Sequence, residues 1–165
     1  VDLEKTSLSN RAKCAFTLNG VADATKKLLG FSAPRKISES EVKMVSEYWT
    51  KVAENIPEWG LLMDGNVSAS TLREQFVHAH TNSLNALGTV GRVLIHEHPN
   101  DWKIKIKKLQ EIDWSRENPE WEGRLLIKGR MLKNQLGMEL AANTILKKCG
   151  VKLSESRLNY EGKNV

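Results

Sequence analysis

The sequence predicts a mostly α fold, a multi-helix, bundle-like domain with a long central helix and a possible helix-turn-helix-like C-terminal part. Apolar residues recur at intervals of three and four along most of the chain, which is the period of an amphipathic helix, and few segments alternate as strands do. Capping residues and glycine stops flank several of these apolar runs. The 165 residues, 40% hydrophobic and 27% charged, have the composition of a globular domain.

Two helices are predicted in the first third of the chain. The first covers residues 16–29 and ends at Gly30, a natural C-terminal stop. The second begins at a capping box, in which Ser38 and Glu41 each bond to the other's backbone amide, and Pro57 ends it. Its apolar residues step by three and four: Val42, Val45, Trp49, Val52 and Ile56.

A long central helix is predicted over residues 70–98. It follows a loop at 57–69 that holds a proline and two glycines, and Pro99 ends it. Unbroken, this helix would be ~43 Å long, because each residue adds ~1.5 Å. Gly88 and Gly91 lie three apart on one face, where they would let another helix approach closely or let this helix bend.

The later segments are less uniform. A helix over 102–112 is predicted from an N-cap at Asn100 or Asp101, although its KIKIKK stretch also alternates like a strand. Gly129 either breaks a helix or forms the turn of a short hairpin. The last helix is predicted over 138–149 and is stopped by the glycine that follows.

The expected domain organisation is a single helical domain over residues 1–153 and a polar tail over 154–165 that frays. Because the chain begins with Val1 and not with methionine, we expect a C-terminal fragment of a longer protein. The sequence has no apolar run of ~20 residues and no secretory signal, and Cys14 and Cys149 have no CxxC spacing. A cytoplasmic protein without a membrane partner is therefore expected.

Positive charge is concentrated in the later part of the chain, within a formal net charge of +5. Residues 1–99 hold 11 Lys/Arg and 11 Asp/Glu, whereas residues 100–165 hold 14 and 9. Residues 124–152 form a basic footprint in which Glu139 is the sole acid. Such an excess attracts polyanions, including nucleic acids, although a solvated surface is the more common meaning of a charge run.

No motif for catalysis, a metal or a cofactor stands out. The histidines form two H-x-H pairs, His78 with His80 and His96 with His98. Two such side chains point the same way on a strand but about 200° apart on a helix, so partly buried or surface histidines are favoured over a metal site. The chain has no GxSxG motif and no P-loop. We therefore expect neither enzymatic activity nor a cofactor.

A charged loop at 112–124, IDWSRENPEWEGR, holds two tryptophans seven residues apart. Trp114 and Trp121 are predicted to anchor the loop to the helical core, and a direct contact surface is the alternative. The anchored loop would hold Arg116 and Arg124 toward a phosphate backbone, because the planar guanidinium suits bidentate phosphate contact. In the alternative interpretation, Arg116 pairs with a neighbouring acidic residue of the loop.

Four stretches of the chain resemble the DndB family of DNA sulfur modification proteins, which belongs to the DGQHR-domain proteins. They are KTSLSNRAKCAFTLNGVADATKKLLG, FVHAHTNSLNALGTVG, DWKIKIKKLQEIDWSRENPEWEGR and GRMLKNQLGMELAANTILKKCGV. The resemblance extends from about Lys5 to Leu153, and its most distinctive part is the loop at 112–124. The DGQHR motif itself does not occur in this sequence, in agreement with a missing N-terminal region.

The resemblance implies a cytoplasmic bacterial protein encoded beside enzymes that replace a non-bridging phosphate oxygen of DNA with sulfur. It implies negative transcriptional control of the modification genes, with double-stranded promoter DNA of the modification operon as the partner, rather than the sulfur chemistry. No DNA contact is carried over from a family motif. The candidate DNA-binding residues rest on charge and spacing, and they are Arg116, Arg124, Lys128, Arg130, Lys133, Lys147 and Lys148.

Two other functions stay open. A protein-interaction module that docks other DNA-modification proteins, or that forms a homo-oligomer, would use the close-packing face of Gly88 and Gly91. A catalytic role completed by a missing N-terminal part would draw on Lys5, Ser9 and Arg11.

Overall fold

Helices dominate the computed structural model, which describes residues 1–5, 8–9, 12–33 and 35–162. The mostly α prediction is confirmed, since a two-stranded sheet is the only sheet among these residues. In chain order the helices are α1 (Leu18–Leu29), α2 (Glu39–Glu54), α3 (Pro57–Met63), α4 (Ala69–Gln75), α5 (Thr81–Glu97), α6 (Trp102–Lys105), α7 (Gln135–Lys148) and α8 (Glu155–Glu161). None of the described helices combines the length and apolar character needed to span a bilayer.

The end of α1 and the start of α2 are those that the sequence predicts, whereas α1 begins at Leu18 and not at residue 16, and α2 already ends at Glu54. Thr17 caps α1 by accepting a hydrogen bond from the Gly20 amide, and Gly30 ends it with a φ of 74°, which favours glycine. The capping box of α2 is formed, because the Ser38 side chain accepts from the Glu41 amide and the Glu41 carboxylate accepts from the Ser38 amide.

Pro57 does not end α2 but begins a new helix, α3, so the predicted loop at 57–69 is wrong in its first half. Proline is tolerated at the first position of a helix, where its missing amide costs no hydrogen bond. The indole of Trp59 in α3 is buried and stacks edge-on against Phe16 at 5.3 Å between ring centroids. This packing gives the short α3 a place in the core.

The long central helix predicted over 70–98 is interrupted at residues 76–80. Phe76 and His80 are extended and flank a 3₁₀ turn at Val77–Ala79. Phe76 pairs antiparallel with Ser115, and the Val77 amide donates to the Trp114 carbonyl at 3.0 Å. The helix breaks because its backbone bonds to a segment nearly forty residues later in the chain, which no local pattern in the sequence encodes.

The uninterrupted part of that prediction, α5, lies at the centre of the fold between α1 and α7. A Cβ atom on Gly88 would lie 2.2 Å from the Ala24 carbonyl oxygen of α1, and one on Gly91 would lie 2.4 Å from the Tyr48 ring of α2. The predicted close approach of another helix is thus confirmed, and its partner is α1 of the same chain. The glycine face on which the interaction-module hypothesis rested is already covered.

Residues 102–112 are helical and not a strand, but only the first turn is α-helical. α6 continues into a 3₁₀ segment at Ile106–Glu111. Asp101 occupies the N-cap position, although its side chain makes no capping hydrogen bond and instead lies 3.4 Å from Lys105 Nζ. The buried side chains of Trp102, Ile106 and Leu109 place one face of this segment in the core.

Gly129 lies in the turn of a short hairpin and does not break a helix, which were the two structures that the sequence left open. Strand β1 (Leu126–Ile127) pairs antiparallel with β2 (Arg130–Met131). The two turn residues, Lys128 and Gly129, both have positive φ values, 48° and 71°, as two-residue hairpin loops of type I′ require. Residues 124–134 therefore present a hairpin before α7, so the possible helix-turn-helix does not form there.

The C-terminal tail forms α8, where the sequence predicted fraying. Arg157 and Asn143 exchange hydrogen bonds between α8 and α7: Asn143 Nδ2 donates to the Arg157 carbonyl at 3.0 Å, and Arg157 Nη1 donates to Asn143 Oδ1 at 2.8 Å. Residues 163–165 of the tail lie outside the described residues, as does Arg11 of the catalytic hypothesis.

Candidate nucleic-acid interface

The two tryptophans of residues 112–124, hereafter the Trp loop, are buried anchors, as predicted. Trp114 is 2% and Trp121 0% exposed, and their indoles stack at 5.4 Å with an interplanar angle of 11°. Each indole N–H donates to a backbone carbonyl, Trp114 to Leu109 at 3.1 Å and Trp121 to Asp113 at 2.9 Å. Neither ring is available as a surface for a base or a partner.

Arg116 of the Trp loop is half-buried and its guanidinium bonds within the chain, so its contact with a phosphate backbone stays a prediction. Its Nη1 donates to the Arg73 carbonyl at 3.0 Å, and its Nη2 donates to the Gly129 carbonyl at 2.6 Å. No acidic side chain of the described residues pairs with Arg116, so the alternative interpretation, a pair with a neighbouring acid of the loop, is not observed. Arg116 instead ties the Trp loop to the tip of the hairpin.

Two further hydrogen bonds, apart from those of Arg116, stabilise the hairpin. The Lys128 amide donates to Glu122 Oε1 at 2.8 Å, and the Leu132 amide donates to the Leu125 carbonyl at 2.7 Å. Together with the Arg116 bond, these contacts fix the orientation of a turn that two short strands alone would leave weakly held.

Three of the predicted DNA-binding residues are on or beside this hairpin and point into solvent. Lys128, Arg130 and Lys133 are exposed, and within the described ranges none of their side chains makes an ion pair or a hydrogen bond. Ile127, on the same tip, is 50% exposed. We name Lys128, Arg130 and Lys133 the hairpin cations.

Three further predicted cations, Arg124, Lys147 and Lys148, are paired with carboxylates. Arg124 makes a bidentate pair with Glu161 of α8, at 3.2 and 2.9 Å, and also donates to the Leu140 carbonyl at 3.0 Å. Lys147 lies 3.6 Å from the same Glu161 carboxylate. Lys148 forms a 3.0 Å pair with Glu120. These three side chains line one open pocket of about 340 Å³ with Pro119, Glu120, Glu122 and Thr144.

The first H-x-H pair serves the core. His78 is 0% exposed, accepts a 3.0 Å hydrogen bond from the Trp59 indole on Nδ1 and stacks on Phe76 with ring centroids 5.2 Å apart. Burial lowers the pKa of His78. Burial also lowers the pKa of His80, to about 4, even though its Nε2 bonds to the Arg73 carbonyl at 3.0 Å. Both rings are therefore neutral at pH 7.

The described residues contain no cluster of three or more His, Cys, Asp or Glu side chains that could hold a metal ion. His78 and His80 lie in the interrupted segment between α4 and α5, and not on one long helix as predicted. In the second pair, His98 lies 3.8 Å from Asp101 and His96 is exposed at the end of α5.

Sequence reasoning missed Arg73, which joins three parts of this region. The Arg73 side chain is 3% exposed and donates to the Ala12 carbonyl and, at 2.7 Å, to the Cys14 carbonyl. Its own carbonyl accepts from Arg116 and His80. The only signal in the sequence was an arginine beside Leu72 in an apolar helical pattern, which is indistinguishable from a surface position.

Comparison with known proteins identifies the family. A family model described as DndB, DNA-sulfur modification-associated, matches residues 1–152. Neither a curated protein nor a solved structure matches significantly. The family match includes the whole Trp loop, the hairpin and α7, which together carry the cations described above. The chain belongs to the DndB family of DNA-sulfur modification-associated proteins.

Proposed function

We propose that this chain is a DNA-binding negative regulator of transcription in a bacterial DNA phosphorothioate modification system. Duplex DNA at the promoter of the modification operon is its proposed partner, the cytoplasm its proposed location and a non-catalytic role its proposed mode of action. Membership of a family associated with DNA sulfur modification supports the biological setting. The predicted docking of other modification proteins and self-association stay predictions.

The hairpin cations are the observation that carries DNA binding. They are exposed, and no carboxylate of the described residues neutralises them. Lys128 and Arg130 flank Gly129, whose carbonyl is fixed by Arg116. A cation on a fixed turn loses less conformational entropy when it meets a phosphate than one on a mobile loop. A two-stranded ribbon is also narrow enough to enter a DNA groove.

Contacts between these cations and DNA phosphates contribute affinity but no sequence preference. Each neutralised phosphate releases condensed counterions, so the logarithm of the binding constant falls with the logarithm of salt concentration by about 0.9 per phosphate. Reading of a promoter would need base-edge contacts or sequence-dependent DNA shape in addition. Ile127 at the tip offers an apolar contact to a thymine methyl group.

The test compares two double variants in fluorescence anisotropy over a salt series, with promoter duplex and a scrambled duplex of equal length. Lys128→Gln/Arg130→Gln removes two hairpin cations. Lys43→Gln/Lys107→Gln removes the same charge from exposed positions on α2 and on the 3₁₀ segment after α6.

We expect the hairpin double variant to lose about tenfold in affinity and its salt slope to become shallower by about 1.8, which corresponds to two phosphates. The control should lose much less, and both should melt like the parent chain. Equal losses in the two variants, or no binding by the folded parent at low salt, would contradict the proposal.

A further inference from the structure

Helix α8 is attached to the domain by polar contacts. It is seven residues long, none of its residues is buried, and Leu158 is 52% exposed. Arg157, near its start, bonds to Asn143 and lies 3.3 Å from the Glu139 carboxylate of α7. Glu161, its last residue, contacts Arg124, Asn143 and Lys147. Because no residue of α8 is buried, release of its last turn exposes no apolar core, and the bidentate ion pair of Glu161 is the interaction that a competing anion must replace.

The Glu161 carboxylate is bound as a phosphate would be. Arg124 grips both oxygens with its two terminal nitrogens, the fork geometry that guanidinium groups use for carboxylate and for phosphate. Asn143 Nδ2, from a side chain that is 0% exposed, donates to Oε1 at 3.2 Å, and Lys147 Nζ lies 3.6 Å away. Burial favours the protonated form of Glu161, but the Arg124 and Asn143 bonds outweigh it and lower the pKa, so the carboxylate is ionised at neutral pH.

This anion site is continuous with the hairpin. Arg124, Lys147 and Lys148 line the open pocket, and so does Glu122. Glu122 also accepts the hydrogen bond from the Lys128 amide, so the pocket rim and the hairpin tip are joined by one side chain. A DNA backbone that crosses the hairpin cations would pass beside the pocket.

We infer that Arg124, Asn143 and Lys147 form a second phosphate-binding site, which the Glu161 carboxylate of the chain's own C-terminal helix occupies until a DNA phosphate displaces it. This inference rests on the proposed function for the identity of the ligand. The C-terminal turn of α8 opens while Arg157 stays bonded to α7. The predicted DNA contacts at Arg124 and Lys147 then become available only when DNA displaces Glu161, whereas Lys148 keeps its own partner, Glu120.

The test replaces one carboxylate at a time in the complete chain. Glu161→Gln removes the competing anion, whereas Glu155→Gln removes the same charge from an exposed position in the first turn of the same helix. Arg124 is a poor probe because it also bonds to the Leu140 carbonyl. Thermal melting first establishes that both variants are folded.

In the anisotropy assay we expect Glu161→Gln to bind duplex DNA about fivefold more tightly than the parent and with a steeper salt slope. Glu155→Gln should gain less than half of that factor. Adding Lys147→Gln to Glu161→Gln should cancel most of the gain. Equal gains from the two glutamate variants would mean that only net charge matters and would overturn the inference.

A second readout does not require DNA binding. In NMR spectra of isotope-labelled protein, the Arg124 side-chain Nε–H signal should shift with millimolar inorganic phosphate in Glu161→Gln and stay nearly constant in the parent. If the parent and every variant fail to bind DNA, the proposed function fails, and the phosphate titration alone decides the anion site. An Arg124 signal in Glu161→Gln that ignores phosphate would overturn the site.

Discussion

Arg116 has two hydrogen bonds that join three segments of the chain. Its guanidinium bonds to the carbonyls of Arg73, at the C-terminal end of α4, and Gly129, at the hairpin turn, and its backbone lies in the Trp loop. A side chain placed in this way acts on a ligand through the hairpin and not by touching it. Substitutions at position 116 can therefore distinguish the effect of its positive charge on DNA binding from the effect of its hydrogen-bond geometry.

Arg116→Lys should lower DNA affinity nearly as much as Arg116→Gln, although lysine keeps the charge. A single ammonium on a flexible stem cannot hold both carbonyls in the planar fork geometry. Both variants should lose about 1–3 kcal/mol of unfolding free energy, because hydrogen bonds to a charged group disappear. Anisotropy and urea denaturation measure the two effects. Full affinity in Arg116→Lys would instead make Arg116 a phosphate contact.

The sequence predicts the role of a side chain reliably when that side chain is stable in only one kind of environment. Trp114 and Trp121 were predicted as anchors because a large indole gains most from burial, and both are buried. Arginine has no single favoured environment, since its guanidinium donates hydrogen bonds to a carbonyl, a carboxylate or a phosphate. For that reason Arg116 and Arg124 were predicted at the interface, while the structure has them bonded within the chain.

At the scale of elements, the contact between α1 and α5 depends on one missing side chain. Gly88 lets the Ala24 carbonyl come so close that an added Cβ would lie 2.2 Å from its oxygen. Backbone atoms of a helix cannot turn aside as the end of a flexible side chain can, so the helices must separate to admit a methyl group.

Gly88→Ala should therefore destabilise the domain by about 1–3 kcal/mol, against the helix-propensity gain that alanine normally brings. Gly60→Ala is the matched control, because Gly60 lies in α3 and no heavy atom lies within 4 Å of its added Cβ. We expect the control to melt at the same temperature as the parent or slightly above it. A neutral Gly88→Ala in calorimetry would show that α1 is not closely packed in solution.

Elements whose ends are set locally were predictable, and those set by distant partners were not. The stop of α1 at Gly30 and the capping box of α2 need only neighbouring residues. The break at residues 76–80 needs the Trp loop, to which Phe76 and Val77 bond. The same holds for α8, whose sequence is mostly polar and which bonds to Asn143 and Arg124 of other segments.

At the scale of the whole molecule, two neutral histidines make folding sensitive to acid. The pKa of His80 is lowered to about 4, and burial lowers that of His78, whereas an unfolded histidine titrates near 6.5. The unfolded state therefore gains protons first as the pH falls. The stability that this difference contributes is complete above pH 6.5 and is lost progressively toward pH 4.

We expect the unfolding free energy of the parent to fall by at least about 2 kcal/mol between pH 8 and pH 5, which is the contribution of His80 alone. Urea denaturation followed by tryptophan fluorescence measures it. His80→Gln should abolish most of that His80 contribution, while His96→Gln, an exposed position at the end of α5, should keep the full dependence. An unchanged pH dependence in His80→Gln would mean that His80 is not neutralised by folding.

The distribution of charge along the chain predicted where the basic surface lies but not which cations are free. All seven candidate residues fall after position 100, where Lys/Arg number 14 against 9 Asp/Glu. The acids that neutralise Arg124, Lys147 and Lys148 come from the Trp loop and from α8, and only the tertiary fold brings them together.

The stacked indoles of the Trp loop also give this molecule an optical signature. Two stacked indoles 5.4 Å apart are close enough to couple their electronic transitions, and the rotation of one indole against the other within the stack sets the sign and strength of the resulting circular-dichroism band. The loop that carries them also carries Arg116, which holds the hairpin turn. Loss of that band on heating or titration would therefore report, without any added label, that the hairpin has lost its support.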